Sequence, residues 1–324
     1  AWSYDIYGQY GAVLFAENYL RDFSVQRMQR ALDVVTDPDT GQAVCRSVLN
    51  GTDPNCVPWD IFKANGEGVT QEALDYLQTP GFQRGKTEEL VVSGSVSGDL
   101  SAYGFQSPWS DQGIGVAVGA EYREEKLNLE TDAAFSTGDL AGQGGPTIGV
   151  GGSFNVKEVF SELRVPIANN MPMVQDLSLE LGYRYSEYST AGTSSSYKVA
   201  AEWAPVRDIR FRGGFNRAVR APNAVEMFRA RSIALDGSFD PCTGAQPEAT
   251  LQQCALTGVT PGQYGNIAAN PANQYNGMLG GNPDLTPEKA DTITLGVVLS
   301  PSFLPRFNAT IDFYDIKIKD RIGR

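Results

Sequence analysis

Five arginines set the first question. In VRDIRFRGGFNRAVRAPNAVEMF (206–228), Arg207, Arg210, Arg212, Arg217 and Arg220 crowd together in a chain of 38 acidic and 26 basic residues. A guanidinium offers a rigid fork of donors suited to carboxylates and phosphates. The net charge of −12 disfavours nucleic acid as the phosphate source, because its backbone would be repelled. The stretch alternates as a strand does and stops at Ala221-Pro222-Asn223. Ion pairs along one strand face are therefore the chemistry to explain.

Catalytic chemistry finds little to stand on. The chain has no histidine, which removes imidazole acid–base catalysis and imidazole metal ligation. GSVSG at 94–98 has valine where a nucleophile elbow needs serine. Gly113, Gly115 and Gly119 miss the phosphate-cradle spacing by one residue and lie within a strand pattern. DPDTG at 37–41 resembles the start of a calcium loop but lacks the downstream ligands, so it is expected to be a turn. A glycosidase carboxylate pair is defined by separation in space, and no pair stands out among the acidic residues. No cofactor and no metal site are expected, and the chain is not expected to be an enzyme.

Cys45 and Cys56, then Cys242 and Cys254, form two local pairs in turn-rich stretches. Neither has the C-x-x-C spacing of a zinc site. Two loop-closing disulfides formed in an oxidising compartment are the better reading. Each would contribute about 2–3 kcal/mol in the chain-entropy model. A second group that could touch a ligand lies in the polar stretch 258–278: Tyr264, Asn266, Asn270, Asn273, Gln274, Tyr275 and Asn276. These residues offer stacking and amide hydrogen bonds; an irregular loop with no ligand role is the alternative.

The elements that position these residues are strands. Ile114, Val116, Val118, Ala120 and Tyr122 share one parity, while Glu121 and Arg123 share the other. Leu177, Leu179, Leu181, Tyr183 and Tyr185 oppose Glu180 and Arg184; Val199 and Trp203 oppose Glu202. Such alternation predicts strands near 2–10, 86–104, 113–127, 153–167, 175–189, 196–204, 208–219, 289–300 and 306–319. The intervening segments 11–85, 129–152, 190–195 and 220–288, which include the longest, are expected at one end of the sheet; 105–112, 168–174, 205–207 and 301–305 are expected at the other. Within 11–85, ENYLRDFSVQRMQRALDVV and VTQEALDYLQ carry partly helical spacing and are expected to form short helices packed on the connection.

No stretch approaches the roughly 18 apolar residues of a membrane helix. A membrane β-barrel would show the same negative mean hydropathy, since only alternate residues meet lipid. Long loops on one side and short turns on the other are its habit. Tyrosine and tryptophan near strand ends, such as Trp2, Tyr4, Tyr103, Trp109, Tyr185, Tyr188 and Trp203, suit its interfacial girdles. A soluble sandwich would fit any single strand equally well.

RGGFNRAVRAPNAVEMF, followed after an insert by GGNPDLTPEKADTITLGVVLSPSFLPRFNATIDFYDIKIKDRI, resembles the barrel of TonB-dependent outer-membrane receptors. GAEYREE, LELGYRYSEYSTAG and the VCRSV…NCVPWDIF region are similar to one proteobacterial branch. The resemblance implies an all-β antiparallel transmembrane barrel of a Gram-negative outer membrane, with long extracellular loops and short periplasmic turns. It implies active import of a scarce solute: a ferric siderophore, haem, cobalamin or a carbohydrate. The partners implied are outer-membrane lipid, the imported ligand, a plug domain inside the barrel, and the TonB-ExbB-ExbD energy-transducing complex.

AWSYDIYGQYG opens as if within a strand, without the pattern of a signal peptide. Residues 1–324 are thus expected to be about nine strands of a 22-stranded barrel, without plug, TonB box or closing strands. Charged residues of polar parity are then expected to face the lumen or plug: Glu121, Arg123, Glu180, Arg184, Glu202, Arg210, Arg212 and Arg220. A lipid-facing arginine at mid-membrane would cost roughly 2–4 kcal/mol. A passive porin or adhesin barrel, and a secreted glycan-binding β-domain, are the alternative functions.

Overall fold

The computed structural model describes residues 2–63, 66–237 and 239–323. Nine strands form one antiparallel meander: β1 (Trp2–Phe23), β4 (Gln78–Asp99), β5 (Gly115–Thr131), β6 (Val150–Met171), β7 (Val174–Tyr188), β8 (Gly192–Val206), β9 (Ile209–Arg220), β12 (Glu288–Leu299) and β13 (Ala309–Lys319). Two small hairpins lie apart from it, β2 (Val34–Thr36) with β3 (Ala43–Cys45), and β10 (Ser232–Gly237) with β11 (Tyr275–Leu279). The sheet is open, with β1 and β13 at its edges.

All nine expected strands are present; β1 and β4 differ most in extent. Alternation is visible only to residue 10, yet β1 continues to Phe23 and β4 begins at Gln78. Tyr19, Leu20 and Phe23 of ENYLRDF have helical spacing. Pairing of Glu17–Tyr19 with Gly81–Gln83 decides for the strand, and a register shift between Tyr19 and Asp22 ends its regular part. Helix α1 (Val25–Leu32) starts only after Ser24, whose Oγ accepts from the Arg27 N–H. Helix α3 (Gln71–Leu77) is capped likewise by Thr70, and α2 (Arg46–Leu49) lies between them.

Segments 24–77, 132–149, 189–191 and 221–287 join strands at one end of the sheet; 100–114, 172–173, 207–208 and 300–308 join them at the other. Long and short connections do not sort strictly. The expected loop at 190–195 shrinks to a tight turn because Gly192 takes φ +71° and strand pairing resumes there. At the opposite end, 100–114 is longer than its neighbours. It fills the space below β5 along β6, where Asn169 N–H donates to the Trp109 carbonyl at 3.0 Å.

The dry core lies at the end carrying the long connections. Leu77, Phe135, Leu140, Val156, Cys45 and Cys254 are among the largest fully buried side chains. Ala31, Cys45, Cys56 and Leu77 form one cluster, backed by Phe23, Met28, Val48, Trp59 and Tyr76. The sulfurs of Cys45 and Cys56 are joined at 2.15 Å, and those of Cys242 and Cys254 at 2.10 Å. DPDTG is the β2–β3 turn, held by Asp37, which accepts from the Asp39 N–H and the Thr40 hydroxyl at 2.9 Å each. Along the nine strands, by contrast, large apolar side chains stay uncovered: Tyr4 is 81% exposed and Phe313 60%.

Candidate functional site

Side chains alternate along each strand, and residues directly opposed across an antiparallel pair share a face. Tracing the register outward from Arg212 therefore assigns every strand residue to one of two faces. Arg212 opposes Glu202, Glu202 opposes Ser178, and Arg164 opposes Glu180 and Gly115. All eight residues expected at the lumen share this face: Glu121, Arg123, Glu180, Arg184, Glu202, Arg210, Arg212 and Arg220.

Ion pairs lace this polar face. Lys198 Nζ lies 2.6 Å from Glu180, Arg184 3.1 Å from Glu158, and Arg210 3.5 Å from Glu202. The Glu158 side chain is only 6% exposed and also accepts from the Ser186 hydroxyl. Arg184 stacks its guanidinium 4.9 Å from the centre of the Phe160 ring. Arg212 reaches across β12 to Asp312 of β13 at 2.7 Å. The residue between them is Gly296, where a Cβ would lie 2.1 Å from the carboxylate and 3.0 Å from Nε. Arg123 pairs with Glu125 at 3.5 Å, and Glu121 has no cationic partner among the described residues.

Sequence reasoning missed the partners Glu158, Lys198, Glu226, Glu288 and Asp312. Parity alone cannot match them, because strand register is set by pairing rather than by local pattern.

Arg220 closes the strand. Its Nε donates to Glu288 Oε2 at 2.8 Å, while its two terminal nitrogens donate to Glu226 at 3.0 and 3.1 Å. Glu226 belongs to helix α5 (Ala224–Phe228), whose N-cap is Asn223. Glu226 N–H donates to Asn223 Oδ1 and Asn223 N–H donates to Glu226 Oε2, a complete capping box. Arg220, and then the Asn223 amide, hold the Glu226 carboxyl below the usual carboxylate range. RAPNAVE is thus a strand end, a buried proline that breaks the ladder, and a helix start. Glu288, from TPEK, opposes Arg220 in register.

The other face is apolar, but not evenly so. One row perpendicular to the strands runs Lys317, Asp291, Arg217, Tyr197, Tyr183, Ser161, Val118, Val96, Tyr4. A row further towards the long connections runs Glu187, Lys157, Tyr122, Val92, Gly8. Each passes from charged through aromatic to small or apolar, and the aromatic step moves from β7–β8 to β5. Arg217, which has the parity of Phe211 and Phe215, lies past the last aromatic residue of its face, with Val219 after it. There it pairs with Asp291 at 2.6 Å and stacks 5.3 Å from the Tyr197 ring centre.

The loop residues are partly occupied by their own loop. The Tyr264 hydroxyl donates to the Ala249 carbonyl at 2.9 Å, beside helix α6 (Leu251–Ala255). Asn266 Nδ2 donates to the Gly262 carbonyl at 3.3 Å, and Asn270 Nδ2 to that of Gln274 at 2.6 Å. The Tyr275 hydroxyl accepts from the Asn270 N–H at 2.8 Å. The exposed side chains in this set include Asn273, Gln274 and Asn276.

A nine-stranded meander with one polar and one apolar face, and with its largest buried side chains gathered towards one end, is a segment of a β-barrel wall. The chain belongs to the family described as TonB dependent receptor-like, beta-barrel, whose model matches residues 47–324. Members of that family are transporters rather than enzymes, in keeping with the failure of each catalytic signature. No curated protein matches the chain. Among solved structures, a ferric enterobactin receptor (PfeA) mutant from Pseudomonas aeruginosa is 18% identical with TM-score 0.48, covering 74% of this chain and 28% of that one. The siderophore receptor PirA from Acinetobacter baumannii is 16% identical with TM-score 0.47, covering 76% and 28%. The chain thus spans less than a third of the length of either.

Proposed function

We propose that residues 1–324 form part of the wall of an outer-membrane receptor that actively imports a scarce solute. That solute is siderophore-bound iron, haem, cobalamin or a carbohydrate. The polar face lines the lumen and meets a plug domain; the apolar face meets lipid. The end carrying 24–77, 132–149, 189–191 and 221–287 lies outside the cell, and the end carrying 100–114, 172–173, 207–208 and 300–308 lies in the periplasm. Energy for import comes from the TonB-ExbB-ExbD complex acting on the plug. Asn273, Gln274 and Asn276 contact the ligand at the outer rim, with Tyr264, Asn266, Asn270 and Tyr275 shaping their loop.

The observation that carries this reading is the slope of the apolar band. Its last apolar residue before a charged one is Phe313 on β13 and Leu90 on β4. On β6 the row of Phe313 passes through Val165, and the row of Leu90 through Asn155. That climb is roughly 33 Å at about 3.3 Å per residue, gained over about 34 Å of sheet at roughly 4.8 Å per strand. The strands therefore lean at about 45° to the plane of the band, as membrane barrel strands do. A flat slab of lipid crossed by tilted strands requires such a slope.

The test uses the full receptor stripped of its four cysteines, reconstituted in bilayers, with single cysteines at 211 or 212. A lipid-soluble thiol reagent should label position 211 and a charged reagent should not. The charged reagent should reach position 212 once any plug is removed. Equal labelling, or charged-reagent access only at 211, would overturn the assignment.

A further inference from the structure

Helix α5 folds back over the polar face of the wall. The Phe228 ring fills the space above Gly152 of β6, where a Cβ would lie 2.2 Å from it. Between α5 and the wall remains a cleft of about 600 Å³, its lining largely apolar through Val13, Leu127, Phe154 and Val225. Glu89 and Glu125 also line it, while Glu88 and Lys126, which border it too, pair with each other at the opposite strand parity. Glu89 and Glu125 are direct cross-strand partners on β4 and β5, and like charges so opposed destabilise a sheet. Glu125 has Arg123 at 3.5 Å; among the described residues Glu89 has only the neutral amide of Gln9, at 3.1 Å.

We propose that this cleft binds an organic cation, a guanidinium or ammonium group carried on an apolar body. The inference rests on the reading of the polar face as the lumen of an importing receptor. The apolar walls take the body of the ligand. The two carboxylates accept charge-assisted hydrogen bonds from its head, which also relieves their mutual repulsion. An anion of the same shape meets two negative groups and is rejected. A bare metal ion gains nothing from the apolar lining.

The experiment uses the full-length receptor carrying this chain and three probes of matched size: phenethylguanidinium, 3-phenylpropanamide and 3-phenylpropionate. Equilibrium dialysis should show the guanidinium binding at least tenfold more tightly than the carboxylate, with the amide between them. The double variant Glu89→Gln/Glu125→Gln should lose that preference. Phe154→Ala should weaken the guanidinium and the amide together. Removing the like-charge pair favours folding, and heat-modifiable gel migration checks that the variant barrel is intact. A carboxylate that binds as tightly as the guanidinium, or a preference that survives in the double variant, would overturn the proposal. Membrane fractionation separates the two claims. A receptor absent from the outer membrane refutes the receptor reading, whereas one that is present but does not discriminate refutes only the cleft.

Discussion

Arg220 and Glu288 stand directly opposite each other at the ends of β9 and β12, with Nε and Oε2 2.8 Å apart. The same guanidinium holds Glu226 in α5. One side chain thereby ties the departing strand, the returning strand and the helix that covers the wall. The segment 281–282 completes the tie, since Gly281 N–H donates to the Arg229 carbonyl at 2.7 Å and Asn282 N–H to that of Glu226 at 2.9 Å.

Replacing Arg220 with alanine should loosen this junction by about 1–2 kcal/mol, the range for losing charge-assisted hydrogen bonds in a partly exposed network. Hydrogen exchange should quicken at the amides of Glu226, Met227, Gly281 and Asn282. Arg210→Ala, on the same face but outside the junction, should leave those amides as they were. Unchanged exchange in Arg220→Ala would show that the capping box holds the junction alone.

Gly152 has a steric role. A valine there meets the Phe228 ring, whose Cδ2 would be 2.2 Å from the new Cβ, so α5 should lift from β6. Limited proteolysis of Gly152→Val receptor should open cleavage within 221–231 while the strands stay protected. Gly94→Ala is the control, because nothing lies within 4 Å of its added Cβ. Equal protection of both variants would contradict the packing described.

Outside the strands, Tyr76 and Asp53 predict a pH response. The Tyr76 hydroxyl donates to Asp53 Oδ2 at 2.8 Å, and Arg30 pairs with the same oxygen at 2.9 Å. The Tyr76 hydrogen bond, aided by Arg30, holds the Asp53 carboxyl below its ordinary range. Burial, then Asp53, pushes the Tyr76 phenol up to about 12. The Asp53 contribution is complete above an unfolded value of about 3.9 and fades as pH falls through the lower folded value. The Tyr76 contribution is complete below about 10 and is lost as pH climbs towards the folded value. Protection of segment 24–77 from proteolysis should therefore fall at both extremes. Tyr76→Phe should flatten the alkaline limb; an unaltered alkaline limb would assign it to another group.

The disulfides should appear as two linked peptides, one joining Cys45 to Cys56 and one joining Cys242 to Cys254, when the unreduced protein is digested. Reduction should cost each loop about 2–3 kcal/mol in the chain-entropy model, and so raise proteolysis in 46–55 and 243–253 while leaving β6 and β7 protected. A crossed pairing such as Cys45 with Cys242 would contradict the structure.

Much of the wall was legible in sequence because a strand's two faces are written two residues apart. Arg210 and Arg212 separate from Phe211 and Phe215 by parity alone, and all eight polar-face residues could be chosen without a partner in view. The turn-rich stretches between near cysteines likewise indicated which sulfurs would meet. Local pattern does not contain register. Only the pairing of β9 with β12 and β13 brought Asp312 to Arg212 across Gly296, and Glu288 to Arg220. Only pairing extended β1 past residue 10, since Tyr19, Leu20 and Phe23 stand at helical spacing and the segment is strand only with β4 beside it. Arg217 shows the same limit from the other side. Its parity is that of the phenylalanines, and it is the slope of the apolar band, a property of nine strands together, that places it beyond their reach.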